Sequence, residues 1–535
     1  MTQSPYWGAL ACGALVCALA WRGRLAPLTL IMAGLLVSTL CDVASAVLSL
    51  LHQRELQGIF IWSSGTLAQN DWSHVRHLAP RLLLALPAAL LISRPLTLLG
   101  LHESQARSLG VGLTQLRLMA LGLALLLAAW VTSAVGVIGF IGLLAPSLAR
   151  LSGASRLRQQ LYWAPLLGAA LLWLTDELVQ GVTGRWSQLP TGSATALLGA
   201  PLLLWLLRRS QDLAAMPAIV SGSLAQRSTA WLGGILLVLA SALLVSLFVG
   251  QGGDGWAVAS APLPWRWPRA LGAASCGAML GVAGALLQRN TGNPLASPEL
   301  LGISSGAALG VIALLLSGLP PSRGAQLLAA ACGATATLLA IVLLARRSGF
   351  SPRRTLLVGV VLSTFGSALA ALLLTRDDPR LGLLLDWLSG STYLVDAATA
   401  RSSLLACALL LLPLPLFSRW LALLPLGDTV GRALGLRLGR SRGLLLLLSA
   451  TLTGAATLVV GPLSFVGLLA PQLARTSGLR RPLQHIAGAA LLGALLMLLA
   501  DWLGRNLLFP YEIPAGLLAT VAGAPYLLWS LRRLP

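Results

Sequence analysis

Apolar runs of about twenty residues recur along the whole chain, and no other feature constrains its fold as tightly. Residues 231–248, WLGGILLVLASALLVSLF, are the plainest case. Such a run crosses a bilayer as an α-helix, because in lipid every backbone N–H and C=O must find its partner within the segment. Only 10% of the 535 residues are charged, against about 25% in a soluble domain. The apolar runs allow roughly 17 spans joined by short loops. The composition points to an all-α polytopic protein surrounded by membrane lipid. It excludes a soluble enzyme, a disordered chain and a disulfide scaffold.

All 37 basic residues are arginine. A Walker A loop needs lysine against the phosphates, so the chain is not itself a nucleotide hydrolase. Any ATPase that drives it is a separate protein. Cys12, Cys17, Cys41, Cys276, Cys332 and Cys407 form no C-x-x-C pair and sit in apolar runs as small hydrophobes. His52, His74, His77, His102 and His485 are scattered. Neither a metal site nor a cofactor is expected. The net charge of +21 falls in short loops between apolar runs, which reads as membrane topology and not as nucleic-acid binding.

The chain repeats itself. Residues 131–153 read VTSAVGVIGFIGLLAPSLARLSG, and 456–478 read ATLVVGPLSFVGLLAPQLARTSG, at an offset of 325. The same register pairs Gly34 with Gly359, Trp62 with Trp387, Gly65 with Gly390, Gly110 with Gly435 and Asp176 with Asp501. One residue less pairs Pro190 and Gly192 with Pro514 and Gly516. A register held over about 200 residues is a tandem duplication. The first copy is placed at 1–215 and the second at 216–535, with a linker at 211–228. In the second, spans are predicted near 231–250, 268–288, 299–317, 324–346, 355–375, 401–424, 443–461 and 484–503. A short span near 505–517 and a last one at 517–531 bring these to about ten. An even number inserts the next copy the same way up, so the repeats are parallel. Residues 6–20 match 331–345, so the first copy opens mid-unit, shortened to about seven spans. Either a late start or a truly shortened chain explains this.

Arg22, Arg24, Arg346, Arg347, Arg353 and Arg354 occupy one class of loop. Arg150, Arg156, Arg158, Arg475, Arg480 and Arg481 occupy another, and Arg532 and Arg533 close the chain. The positive-inside rule places all of them, and the C-terminus, in the cytoplasm. Arg266 and Arg269 break the trend and face out.

The duplicated block is the sharpest motif. It carries Gly136, Phe140, Gly142, Pro146, Arg150 and Gly153 in one copy. The other copy carries Gly461, Phe465, Gly467, Pro471, Arg475 and Gly478. An apolar span running into Gly and Pro, then a short amphipathic stretch, then arginine, has the shape of a rigid elbow. Two such elbows would give a symmetric ATPase dimer two docking knobs, and an ordinary loop is the competing reading. Asn293, Pro294 and Pro298 break the chain after another apolar run; broken backbone at membrane depth must be buried in protein or line a cavity. A structural turn competes there.

These motifs resemble the FecCD-type permeases of type II ABC importers, which carry ferric siderophores, haem and vitamin B12. The resemblance rests on R-x-P-R at 266–269, NPLASPELLGISSGA at 293–307, the two elbows, and the A-D…P-x-G…G-A-P tail at 500–525. It covers nearly the whole chain. It implies two tandem permease repeats in a bacterial inner membrane, driven by a cytoplasmic ATPase homodimer and fed by a periplasmic binding protein. The fused double length is similar to members that carry ferric hydroxamates. Arg266, Arg269 and Arg505 would meet acidic groups of the binding protein, and the elbows would meet the ATPase. Ser38, Thr39, Ser363 and Thr364 would line the translocation path. The family commonly has His after the elbow proline, where this chain has Ser147 and Gln472. Gln180 stands opposite Arg505, and the first copy has no R-x-P-R, so docking is expected to be asymmetric, with Arg185 a speculative substitute.

Asp501 and Arg505, four apart, read as a local pair, with a proton relay as the alternative. Asp42 stands alone, opposite Ser367, and Trp62 and Trp387 read as interfacial anchors. An ion-coupled secondary transporter is the competing class, but it expects inverted repeats and midplane acids. A shortened, inactive remnant is a third possibility.

Overall fold

A computed structural model describes residues 3–21, 25–51, 65–67, 71–98, 112–182, 191–209, 230–253, 255–259, 261–294, 296–319, 322–346, 349–374, 387, 390–463 and 465–532. The linker at 211–228, Trp62, Gly110, Arg185 and the Arg22/Arg24 pair lie outside these residues. Two compact units emerge. One comprises 1–211, 371–377 and 524–535; the other comprises 212–370 and 378–523.

The described part of the first unit is built from helices: α1 (Gln3–Ala20), α2 (Pro27–Leu51), α3 (Ser73–Leu98), α4 (Leu113–Val135), α5 (Ile141–Leu151), α6 (Leu157–Val182) and α7 (Thr191–Arg209). The second opens with α8 (Ala230–Phe248), then a hairpin of β1 (Val249–Gly252) and β2 (Gly255–Val258). There follow α9 (Leu263–Thr291), α10 (Ile303–Leu316), α11 (Arg323–Arg346), α12 (Pro352–Leu374) and α13 (Ala397–Leu411). Two short helices, α14 (Ser418–Leu423) and α15 (Asp428–Ala433), lead to α16 (Leu438–Val460), α17 (Val466–Thr476), α18 (Pro482–Asn506) and α19 (Ala515–Arg532). Among the described residues, eight helices are long and apolar enough to cross a membrane, with shorter apolar helices between them.

Prolines shape two of the expected spans. No separate short helix forms between 507 and 514. Pro510 and Pro514 lack the N–H a helix needs, and 507–514 turns back through Tyr511 N–H to Leu508 C=O at 2.8 Å. The span expected over 401–424 is present at Ala397–Leu426, but its regular α-helix gives way at Leu412, where Pro413 and Pro415 interrupt the ladder. A short helix that the expected spans do not include is α17, inside the duplicated block.

Helix α9 is the axis of the second unit and is buried along most of its length. Small residues allow this. Gly277 and Gly281 lie against the backbone of Gly493 and Ala489 on α18, and Gly284 lies on the carbonyl of Gly467 on α17. Close backbone approach lets helices gain dispersion contact where lipid supplies no hydrophobic drive.

Candidate functional site

Helix α16 runs antiparallel to α9. Ser449 Oγ donates to the Ala283 carbonyl at 2.8 Å, and Asn290 Nδ2 donates to the Arg442 carbonyl at 3.3 Å. At Gly461 (φ +85°) the chain stops being helical. It re-enters a helix at α17, beside Gly284. Phe465 begins that helix at φ +73°, a left-handed conformation that few non-glycine residues adopt. The part-buried carboxyl group of Glu299 accepts the Phe465 N–H at 2.7 Å and steadies this junction. Residues 461–476 therefore join a break to a short helix that is mostly buried within the unit, as irregular backbone at membrane depth requires.

The first unit repeats the geometry. Gly136 has φ +78° and Phe140 has φ +67° before α5. Gly192 N–H donates to the Gly65 carbonyl at 2.9 Å, as Gly516 N–H does to Gly390 at 2.9 Å. The duplication seen in sequence is thus a duplication of backbone junctions.

The elbow of the second unit is not the protruding knob expected. Phe465, Gly467, Pro471, Gln472, Ala474 and Gly478 are buried, and only the end of the helix, at Thr476, is exposed. Its apolar residues and Gly467 let α17 nest against α9 and α18. Gln472, which stands where His was expected, donates to the Pro294 carbonyl at 2.8 Å and ties α17 to the broken stretch after α9. In the first unit Gly142, Arg150 and Gly153 are exposed and Pro146 is partly so.

At the hairpin end of the second unit the three expected docking arginines converge. Asp501, buried, is 3.0 Å from Arg505 and 3.5 Å from Arg269, and it also accepts the Thr392 hydroxyl. Arg269 reaches Glu512 at 2.9 Å, and Arg505 reaches the Ser246 hydroxyl at 2.8 Å. The side chains of Arg269 and Arg505 are only 13% and 9% exposed, so much of their charge is spent within the unit. Arg266 donates to the Leu247 carbonyl at 3.3 Å and lies over Gly250 of the hairpin. The hairpin is fastened to α18 by Trp502 Nε1 on Val249 and by Gln251 N–H on Asn506. A carboxylate held by two guanidinium groups and a hydroxyl is a structural centre, which favours the local pair over a proton relay.

At the opposite end lies a cluster that sequence reading missed. Arg289, in the last turn of α9, donates to the carbonyls of Leu421 and Arg480 at 3.0 Å each, and to His485 Nδ1 at 3.3 Å. His485 is buried, and its other ring nitrogen lies 3.0 Å from the Pro471 carbonyl. The network assigns the proton to Nε2, which donates to Pro471. A run of Gln, Arg and Asn at 288–290, inside an apolar helix, was the available signal. Close by, Arg442 Nη1 donates to Asp428 at 3.2 Å. Leu416, Leu426, Val430 and Leu434 stand exposed around α14 and α15.

Of the expected path residues, Ser363 reaches another helix, sharing a hydrogen bond with Ser305 of α10 at 3.1 Å. Thr364 and Thr39 bond their own helices, and Ser38 Oγ donates to Asp42 at 3.5 Å. Among the described residues, no group of His, Cys, Asp and Glu could hold a metal ion.

Fold and site together define a multi-pass membrane protein with a duplicated, broken-helix core. The FecCD transport family profile matches residues 3–209 and 235–533, and the chain belongs to that family. It is 48% identical over 536 residues to the iron(3+)-hydroxamate import system permease protein FhuB of Salmonella typhimurium, covering 98% of this chain and 78% of that one. FhuB of Escherichia coli is also 48% identical, with 98% and 81% covered. The hemin transport system permease HmuU of Yersinia pestis is 39% identical over 280 residues, covering 50% of this chain and 82% of its own. A solved structure described as an inward-facing metal-chelate type ABC transporter superposes with a TM-score of 0.51 at 28% identity, covering 57% of this chain and 98% of that one.

Proposed function

We propose that this protein is the permease of a bacterial inner-membrane ABC importer for ferric hydroxamate siderophores. The single observation that carries this reading is 48% identity to FhuB along 98% of the chain. The two repeats, at 1–215 and 216–535, would alternate between outward and inward openings around the chelate. The permease performs no bond chemistry; a cytoplasmic ATPase homodimer supplies the energy.

A periplasmic binding protein would dock at the hairpin end. Arg266, Arg269 and Arg505 meet its acidic groups there, because complementary charge steers encounter and fixes register. The ATPase would dock at the other end, with the C-terminus on the same side. The exposed leucines around α14 and α15, with Arg475 at the end of α17, supply that surface in the second unit; Arg150, at the end of α5, is the first unit's counterpart of Arg475. The buried remainder of each elbow would transmit movement inward. Ser38, Thr39, Ser363 and Thr364 would lie along the path.

The test is uptake of radioactive iron as ferrichrome in the native host, with and without the gene. Loss of uptake on deletion, restored by the gene in trans, supports the reading. Unchanged ferrichrome uptake alongside lost haem or cobalamin uptake would overturn it in favour of another chelate.

A further inference from the structure

We propose that Arg289 is the positioning residue that couples the ATPase-facing short helices to the buried α17. The proposal rests on the reading that α14 and α15 face the ATPase. A guanidinium group carries N–H donors in a rigid planar fork, so it can hold several acceptors at fixed angles. Arg289 uses the fork on three separate pieces of chain. Leu421 belongs to α14, Arg480 to the loop between α17 and α18, and His485 to the first turn of α18. His485 extends the link to the Pro471 carbonyl in the middle of α17.

None of these four contacts is with a carboxylate. The acceptors are three carbonyls and an imidazole, and Arg289 sits in the last turn of α9, where the helix dipole favours a cation. A part-buried charge held by main-chain carbonyls fixes backbone positions relative to one another. Movement of α14 must therefore displace the end of α9, the 480 loop and α17 together. Gly284 of α9 in turn rests on Gly467 of α17, so the two helices cannot slide independently. Lysine offers no planar fork and cannot hold three divergent acceptors in the same way.

The experiment uses the complete importer, permease with its ATPase and its binding protein, in proteoliposomes. ATP hydrolysis and ferrichrome accumulation are measured in the same sample. Arg289→Gln is expected to lower the ferrichrome moved per ATP hydrolysed by about tenfold while hydrolysis itself persists. His485→Phe keeps the volume and the two carbonyl bonds of Arg289 but cuts the link to Pro471. It is expected to lower the same ratio, and it decides the matter if Arg289→Gln does not accumulate in the membrane. Arg289→Lys is expected to fall between. Transport and hydrolysis that decline in proportion, leaving the ratio as in the wild type, would reduce Arg289 to a purely structural role and overturn the proposal. A wild-type complex that moves no ferrichrome would instead overturn the functional reading on which the proposal rests.

Discussion

Arg505 reaches back one turn of its helix to Asp501 and closes on the carboxylate at 3.0 Å. The first unit keeps the arrangement with a neutral partner: Gln180 Nε2 donates to Asp176 at 2.7 Å. The two sites share a helical spacing but not an electrostatic problem. In the second unit a buried acid balances two arginines; in the first an amide supports a lone acid.

That difference predicts unequal costs. Asp501→Asn leaves Arg269 and Arg505 without their shared counter-charge and should cost about 3–5 kcal/mol. Asp176→Asn removes one charge-assisted hydrogen bond and should cost about 1–3 kcal/mol. Thermal melts of the purified protein in detergent compare them. Equal losses would contradict the assignment of Asp501 as the charge centre.

Glu512 occupies the outward side of Arg269 and is itself partly exposed. Glu512→Gln should therefore free positive charge for an acidic partner, at a stability cost of about 0–1 kcal/mol. Titration of the binding protein onto the permease in nanodiscs should show tighter association at low salt, and less of the gain at high salt. Arg266→Glu, which leaves the Asp501 centre intact, should weaken that association while leaving the protein in the membrane. Binding indifferent to both changes would remove the hairpin end as the docking face.

Backbone contact gives a further contrast. Gly284→Ala would drive a methyl group into the Gly467 carbonyl and should cost about 3 kcal/mol or more. Gly324, in the first turn of α11, has open space around it. Gly324→Ala should be neutral or stabilising by about 0.5–1 kcal/mol. Melting temperatures of the pair check this directly.

Glu299 supports a strained junction, so Glu299→Ala should weaken the entry to α17 by about 1–3 kcal/mol. Hydrogen exchange at the Phe465 amide should accelerate in that variant. Protection equal to the wild type would show that the junction holds without the carboxylate.

The sequence made some of this legible. Gly136 and Gly461, Phe140 and Phe465, Gly65 and Gly390 were paired by register alone, and each pair proves to occupy the same backbone conformation. The apolar runs fixed most spans within a few residues. What escaped was depth and direction. Nothing local distinguishes a knob that protrudes from a half-helix that turns inward, because α17 owes its burial to Gly284 and Ala489, far away in the chain. The hairpin at 249–258 is too short and glycine-rich to carry an alternating pattern. The arginines at 266, 269 and 505 were legible as charges, and the Asp501–Arg505 pair by its spacing, but the partners of Arg269 were not: Glu512 lies 243 residues from it. Arg289 and His485 were visible only as polar residues in apolar helices, and their junction needed the packed helices to appear.

The most direct measurement is ATP-driven accumulation of ferrichrome iron in proteoliposomes holding the purified permease, its ATPase and its binding protein. The expected result is accumulation that requires all three proteins and ATP, and that stops when the binding protein is omitted. Accumulation driven by a proton or sodium gradient without ATP would contradict the importer reading, and ATP-dependent uptake of another chelate but not ferrichrome would contradict the substrate.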